Sequence, residues 1–217
     1  MKANKKNISI FIIWLVHVSG FLGMLFYDLD FFAGFTSVNL LLMSIILFLN
    51  IKLDSKYHIL SILSIFLIGM ITESLGVNYA LIFGDYEYGN NLGFKLFGVP
   101  YLIGVNWIIL TVISGNIASF ITKNRSIVLT IIIGALLMLA MDFVMEPIAP
   151  KLDMWRFKNL IVPSSNYVGW LFVGIFTQAI YNPYFTKKEI SVSTNLYLAF
   201  FLFFGCLNLN FILSNGY

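Results

Sequence analysis

Seven stretches of roughly 20 mostly apolar residues follow one another along this 217-residue chain, and nothing between them is long enough to fold as a separate soluble domain. About 20 apolar residues is the length of one helix across a hydrocarbon layer. Only 11% of the residues are charged and 59% are hydrophobic. A water-soluble domain carries about 25% charged residues, so this chain has too little polar surface to face water. The backbone must satisfy its own amides inside lipid, which selects helices or a closed barrel. The alternating ten-residue strands of a barrel are absent. The expected fold is therefore all-α: a polytopic membrane helix bundle of about seven transmembrane helices, one transmembrane domain over residues 1–217.

The spans are predicted at Ile8–Tyr27, Phe35–Ile51, Ile59–Phe83, Pro100–Ile121, Ile127–Glu146, Asn166–Tyr184 and Thr194–Ile212. The first is too long for the apolar region of a signal peptide and is not followed by a small-x-small cleavage pattern. Lys2, Lys5, Lys6, Lys52, Lys56, Lys123, Arg125, Lys187 and Lys188 fall on one side, nine of the thirteen basic residues. Basic loops stay inside, so the N-terminus is expected in the cytoplasm and the protein in the cell's inner (cytoplasmic) membrane. The opposite side carries two long connections, Gly84–Val99 and Pro147–Ser165, too aromatic for disorder. The net charge of +3 is too small to indicate a nucleic-acid partner. One cysteine, Cys206, and two distant histidines, His17 and His58, give no disulfide and no expected metal site; these three read as ordinary span or interface residues.

Ionisable residues inside a span are costly and mark functional sites by default. Glu73 lies in the third span, about ten residues or about 15 Å from its outer end. Asp142 and Glu146 are four apart in the fifth span, on one helix face. No Lys or Arg shares these spans. Carboxyl groups kept out of water and near one another hold on to protons, so at least one is expected to remain an acid and to serve as a proton donor. Aromatic and amide residues gather towards the same side: Tyr86, Tyr88, Trp107 beside Asn106, Trp155, and Asn166 with Trp170 one turn on. Interfacial belts are aromatic too, but electron-rich rings also stabilise cations. Acids, aromatics and no cofactor motif suggest chemistry on an apolar substrate: protonation of an alkene, with the cation quenched by water or by an internal double bond.

The segments Glu73-Ser-Leu-Gly76-Val, Phe83-Gly84-Asp-Tyr86-Glu-Tyr88, Phe97-Gly98-Val99-Pro100 followed by Trp107, and Asp142-Phe-Val-Met-Glu146-Pro147 leading to Trp155 and Pro163-Ser-Ser-Asn166-Tyr-Val-Gly169-Trp170 resemble the CruF-type carotenoid biosynthesis family. The likeness covers residues 73–170. These are integral membrane, carotenoid 1,2-hydratase-like proteins. One departure is Glu146, where the family more often has aspartate.

The resemblance implies a hydro-lyase that needs no cofactor and hydrates the terminal 1,2 double bond of a linear carotenoid ψ-end. Its partners would be the carotenoid, the lipid bilayer, water as co-substrate and other enzymes of the pathway. Glu73, Asp142 and Glu146 would be catalytic, with Asp142 or Glu73 donating the proton. Tyr86, Tyr88, Trp107, Trp155, Asn166 and Trp170 would bind the substrate. Two other readings use the same residues: a lycopene-type cyclase, and a non-enzymatic seven-helix transporter or receptor. A retinal-binding receptor is disfavoured because the last span has no lysine for a Schiff base.

Overall fold

The computed structural model describes residues 4–214; Lys2 lies outside them. Helix α1 (Lys5–Phe26) is capped by the side chain of Asn4. A short helix α2 (Leu29–Ala33), capped by Asp28, turns the chain into α3 (Thr36–Asn50). Then come α4 (Lys56–Tyr79), strands β1 (Tyr86–Tyr88), β2 (Lys95–Leu96) and β3 (Val99–Pro100), and helix α5 (Tyr101–Thr122). The chain closes with α6 (Ile127–Met145), a 3₁₀ turn at Ala149–Leu152, β4 (Trp155–Phe157), α7 (Ser164–Tyr181) and α8 (Ile190–Ser214).

The chain is an all-α, multi-pass membrane bundle. Among the described residues, six helical segments are long and apolar enough to cross a membrane, with α2 and α3 counted as one segment, Leu29–Asn50. Helix α7 has 18 residues and is more polar. Its inner face carries Asn166, Thr177 and Gln178, all buried, and the Gln178 amide donates to the carbonyl of Thr111 at 2.9 Å. Helix α5 is the centre: it packs on α3, α4, α6, α7 and α8, and Trp107, Ile109, Leu110 and Ile113 are fully buried. Leu and Phe on the outer helices remain exposed on the lipid side. No water-driven hydrophobic effect acts there, so close packing and hydrogen bonds between helices hold the bundle.

Beyond shifts of a few residues at helix ends, two features differ from the sequence expectation. The third span ends at Tyr79, because Ala80 takes a left-handed conformation (φ 54°) and its N–H returns to Gly76. The apolar residues Leu81–Phe83 then fold back, and the Phe83 ring is buried 6.2 Å from Trp107 and 6.3 Å from Trp170. Glu73 is thus only six residues, about 9 Å of helix rise, from its helix end, shallower than the expected 15 Å. The second difference is the pairing of the two long connections. Strands β1 and β4 form an antiparallel ribbon with Tyr86 opposite Phe157, Glu87 opposite Arg156 and Tyr88 opposite Trp155. Successive side chains of a strand face opposite ways. Tyr86, Tyr88, Trp155 and Phe157 therefore point inward and are buried, while Glu87 and Arg156 face out and form an ion pair at 2.7 Å.

Candidate active site

Under this ribbon the three carboxyl groups meet. Glu73 is buried on α4 and is held by three donors: Tyr86 OH, Tyr88 OH at 2.7 Å, and the Trp107 indole N–H at 2.9 Å. The helix prepares this site by what it omits. Gly69, Glu73 and Gly76 share one face of α4 at spacings of four and three. A Cβ on Gly69 would stand 2.6 Å from the Trp107 ring, and one on Gly76 would stand 2.7 Å from the Tyr86 hydroxyl. Both donors reach Glu73 across the space those glycines leave. Burial pushes the Tyr86 and Tyr88 phenols far above the ordinary tyrosine range, and the neighbouring Glu73 adds to the shift. They stay protonated and donate.

The other two acids stand at the end of α6. Asn166, in the first turn of α7, donates through one amide nitrogen to Asp142 Oδ2 at 2.8 Å and to Glu146 Oε1 at 3.1 Å. The second oxygen of Glu146 accepts from the Trp155 indole at 3.1 Å. Oδ1 of Asp142, fully buried, has no hydrogen-bond partner among the described residues. Two carboxyl groups bridged by one nitrogen cannot both carry charge without a large repulsion.

Between the acids lies a cavity of about 20 Å³, walled by Glu73, Asp142, Glu146, Asn106, Trp155 and Trp170 among others, with no Lys, Arg or His in its lining. That is room for about one water molecule. Ile103, Asn106 and Trp155 belong also to the wall of a second cavity, of about 470 Å³. This larger space is apolar and is bounded chiefly by α1, α2, α3 and α8, through Met24, Phe31, Phe35, Phe200 and Phe203.

All nine residues singled out in the sequence are brought to this one place. Trp107 differs in position from its expected part: it lies behind the cavity wall, where it holds Glu73 and stacks on Trp170 at 4.3 Å with an interplanar angle of 14°. Its indole is drawn back by the room at Gly69. Phe83, Ile103 and Phe157 also line the cavity, although their letters in the sequence carried no expected site role, and Asn106 stood out there only as a neighbour of Trp107. The alternation in Tyr86-Glu87-Tyr88 and Trp155-Arg156-Phe157 is the signal that pairs the loops and would have found Phe157. Nothing comparable marked the walls given by α1, α3 and α8. His17, read as an ordinary span residue, is buried in the wall of the larger cavity between Phe200 and Phe203, with Nδ1 on the Ile13 carbonyl at 2.7 Å.

Comparison with known proteins gives one match: residues 32–215 fit the family model described as "Carotenoid biosynthesis protein". No curated protein and no solved structure matches.

Proposed function

The chain belongs to the carotenoid biosynthesis protein family, and from that premise we propose that it is a CruF-type hydratase adding water to the terminal 1,2 double bond of a linear carotenoid ψ-end. The polyene end enters from the bilayer into the 470 Å³ cavity and presents its terminal alkene past Ile103, Asn106 and Trp155 to the acids. This apolar space, more than twenty times the volume beside the acids, takes one end of a long polyene. The rest stays in lipid. The protein works in the cytoplasmic membrane, with its basic end inward.

The proton comes from the Asp142–Glu146 pair and goes to C2 of the alkene, leaving a tertiary cation at C1. Glu73, fixed by three donors, stands by as counter-charge, and the faces of Trp155, Trp170, Tyr86 and Tyr88 stabilise the cation. Water adds to C1 and returns its proton to the carboxylate pair, so the acid is regenerated and no cofactor is consumed. Asn106 and Asn166 hold that water by their amides. Glu73, Asp142 and Glu146 are the catalytic residues of this scheme, and Trp107 acts through Glu73. The observation that carries the reading is the meeting of an apolar, polyene-sized cavity with a bridged carboxyl pair at Asn106. A pocket beside the acids with room for one water, and none for a folded chain end, supports hydration over ring closure.

Expression in a lycopene-producing host, followed by mass analysis of the pigments, tests this. Hydration adds about 18 mass units per end; cyclisation adds none. Unchanged pigments with folded protein present, or a cyclised product of unchanged mass, would refute the proposal. Purified protein must do the same in detergent with no gradient, which a proton-coupled carrier would not.

A further inference from the structure

Away from the acids, at the end of the bundle that gathers most basic residues, lies a groove of about 480 Å³ between the end of α5 and the start of α8. Its polar wall consists of donors: Ser119, Lys123, Asn124, Thr186 and Lys188. Lys188 is half-buried. Its ammonium donates to Asn182 Oδ1 at 2.8 Å and sits 4.0 Å from the centre of the Tyr181 ring. Neither Lys188 nor Lys123 forms an ion pair among the described residues. The adjoining acid, Glu189, is committed to Lys6 at 2.6 Å. Burial without a counter-ion pushes the Lys188 ammonium down to about 7. An anion seated in the groove would relieve that cost. Beside the lysines, Phe120 and Ile121 line the groove in the last turn of the apolar helix α5 and are exposed, at 66% and 53%.

We infer that this groove binds an anionic membrane glycerophospholipid, its phosphate on Lys123 and Lys188 and its acyl chains along Phe120 and Ile121. Unpaired cations meet the phosphate, and the apolar flank favours a lipid over a free ion. Basic pockets at helix ends recognise anionic headgroups by the same physics. The site is separate from the acid cluster and does not depend on the reaction proposed there.

The test uses the full chain in a neutral detergent, with phosphatidylglycerol, phosphatidylcholine and inorganic phosphate as probes, read by native mass spectrometry and thermal unfolding. Phosphatidylglycerol is expected to bind at least about tenfold more tightly than phosphatidylcholine, a difference of about 1.4 kcal/mol. It should also raise the unfolding temperature where inorganic phosphate does not. The Lys123→Gln/Lys188→Gln double variant should lose the preference, and Lys123→Arg/Lys188→Arg should keep it. Should the glutamine variant fail to fold, salt decides on the unaltered chain, since the preference must shrink between about 0.1 M and 1 M NaCl as screening shortens. Equal binding of the two lipids, a glutamine variant that keeps the preference, a preference indifferent to salt, or equal stabilisation by inorganic phosphate overturns the inference.

Discussion

At the scale of single residues, the site is a set of donors fixed on three acids, and each fixation predicts a separable defect. Replacing Asp142 by Asn removes the proton while keeping the side chain's shape. Hydration is expected to fall by about 10²–10⁴-fold, the usual contribution of a positioned acid, with folded protein accumulating unhydrated pigment. Glu73→Gln should act similarly, because an amide puts an N–H where three donors already converge. Gly76→Ala tests the room left for Tyr86: the buried ring and its hydroxyl are displaced, activity should drop towards that of Tyr86→Phe, and overpacking should cost about 1–3 kcal/mol in thermal unfolding. If Gly76→Ala were fully active, the close approach would have no functional weight. The residue types and spacings of Glu73, Asp142, Glu146 and Asn166 could be read in the chain, since intramembrane acids have few other reasons to exist. The pairing of each acid with its donors was not legible, because Tyr86, Trp107 and Trp155 come from elements distant in sequence.

At the scale of elements, the ribbon of β1 and β4 brings Tyr86, Tyr88 and Trp155 onto the acids from above. Its outer pair, Glu87–Arg156, is exposed. Such pairs contribute about 0.2–1 kcal/mol, so Arg156→Glu should change stability slightly, and the swap Glu87→Arg/Arg156→Glu should restore it. Trp155→Ala, which removes a cavity wall and the indole on Glu146, should abolish most hydration; similar losses for the two kinds of change would mean that ribbon pairing alone governs the site. Between α7 and α8, Lys188 gives a pH prediction. Its folded ammonium is pushed down to about 7, below the ordinary lysine value of 10.5, so over that window the unfolded chain binds a proton the folded one lacks. Stability in neutral detergent, free of anionic lipid, should therefore rise with pH from about 7 towards 10.5, and Lys188→Met should flatten that slope in thermal unfolding.

At the scale of the whole molecule, the two cavities join elements from opposite ends of the chain. Helices α1, α2, α3 and α8 carry the apolar wall, α4 and α6 carry the acids, α7 brings Asn166 to them, and Asn106 on α5 belongs to both cavities. Filling that junction with Asn106→Leu should slow hydration and raise the apparent KM for the polyene without loss of fold, because among the described residues the side chain hydrogen-bonds no protein group. Unchanged kinetics would show that the polyene reaches the acids by another route. The antiparallel course of the helices puts Lys6, Lys56, Lys123 and Lys188 at one end and the ribbon at the other. In a Cys206→Ser background, a cysteine at Lys52 and one at Lys158 should label from opposite faces of intact cells.

The sequence by itself determined the helical membrane bundle and marked the acids that end up buried in it, because apolar run length and intramembrane charge act locally or add along the chain. Tertiary structure alone decided which aromatic ring serves which acid, where the third span stops, and where a cavity opens. A phenylalanine facing lipid and one facing an empty pocket are the same letter with the same periodicity. Only the packing of distant helices, with bare glycines where rings must pass, tells them apart.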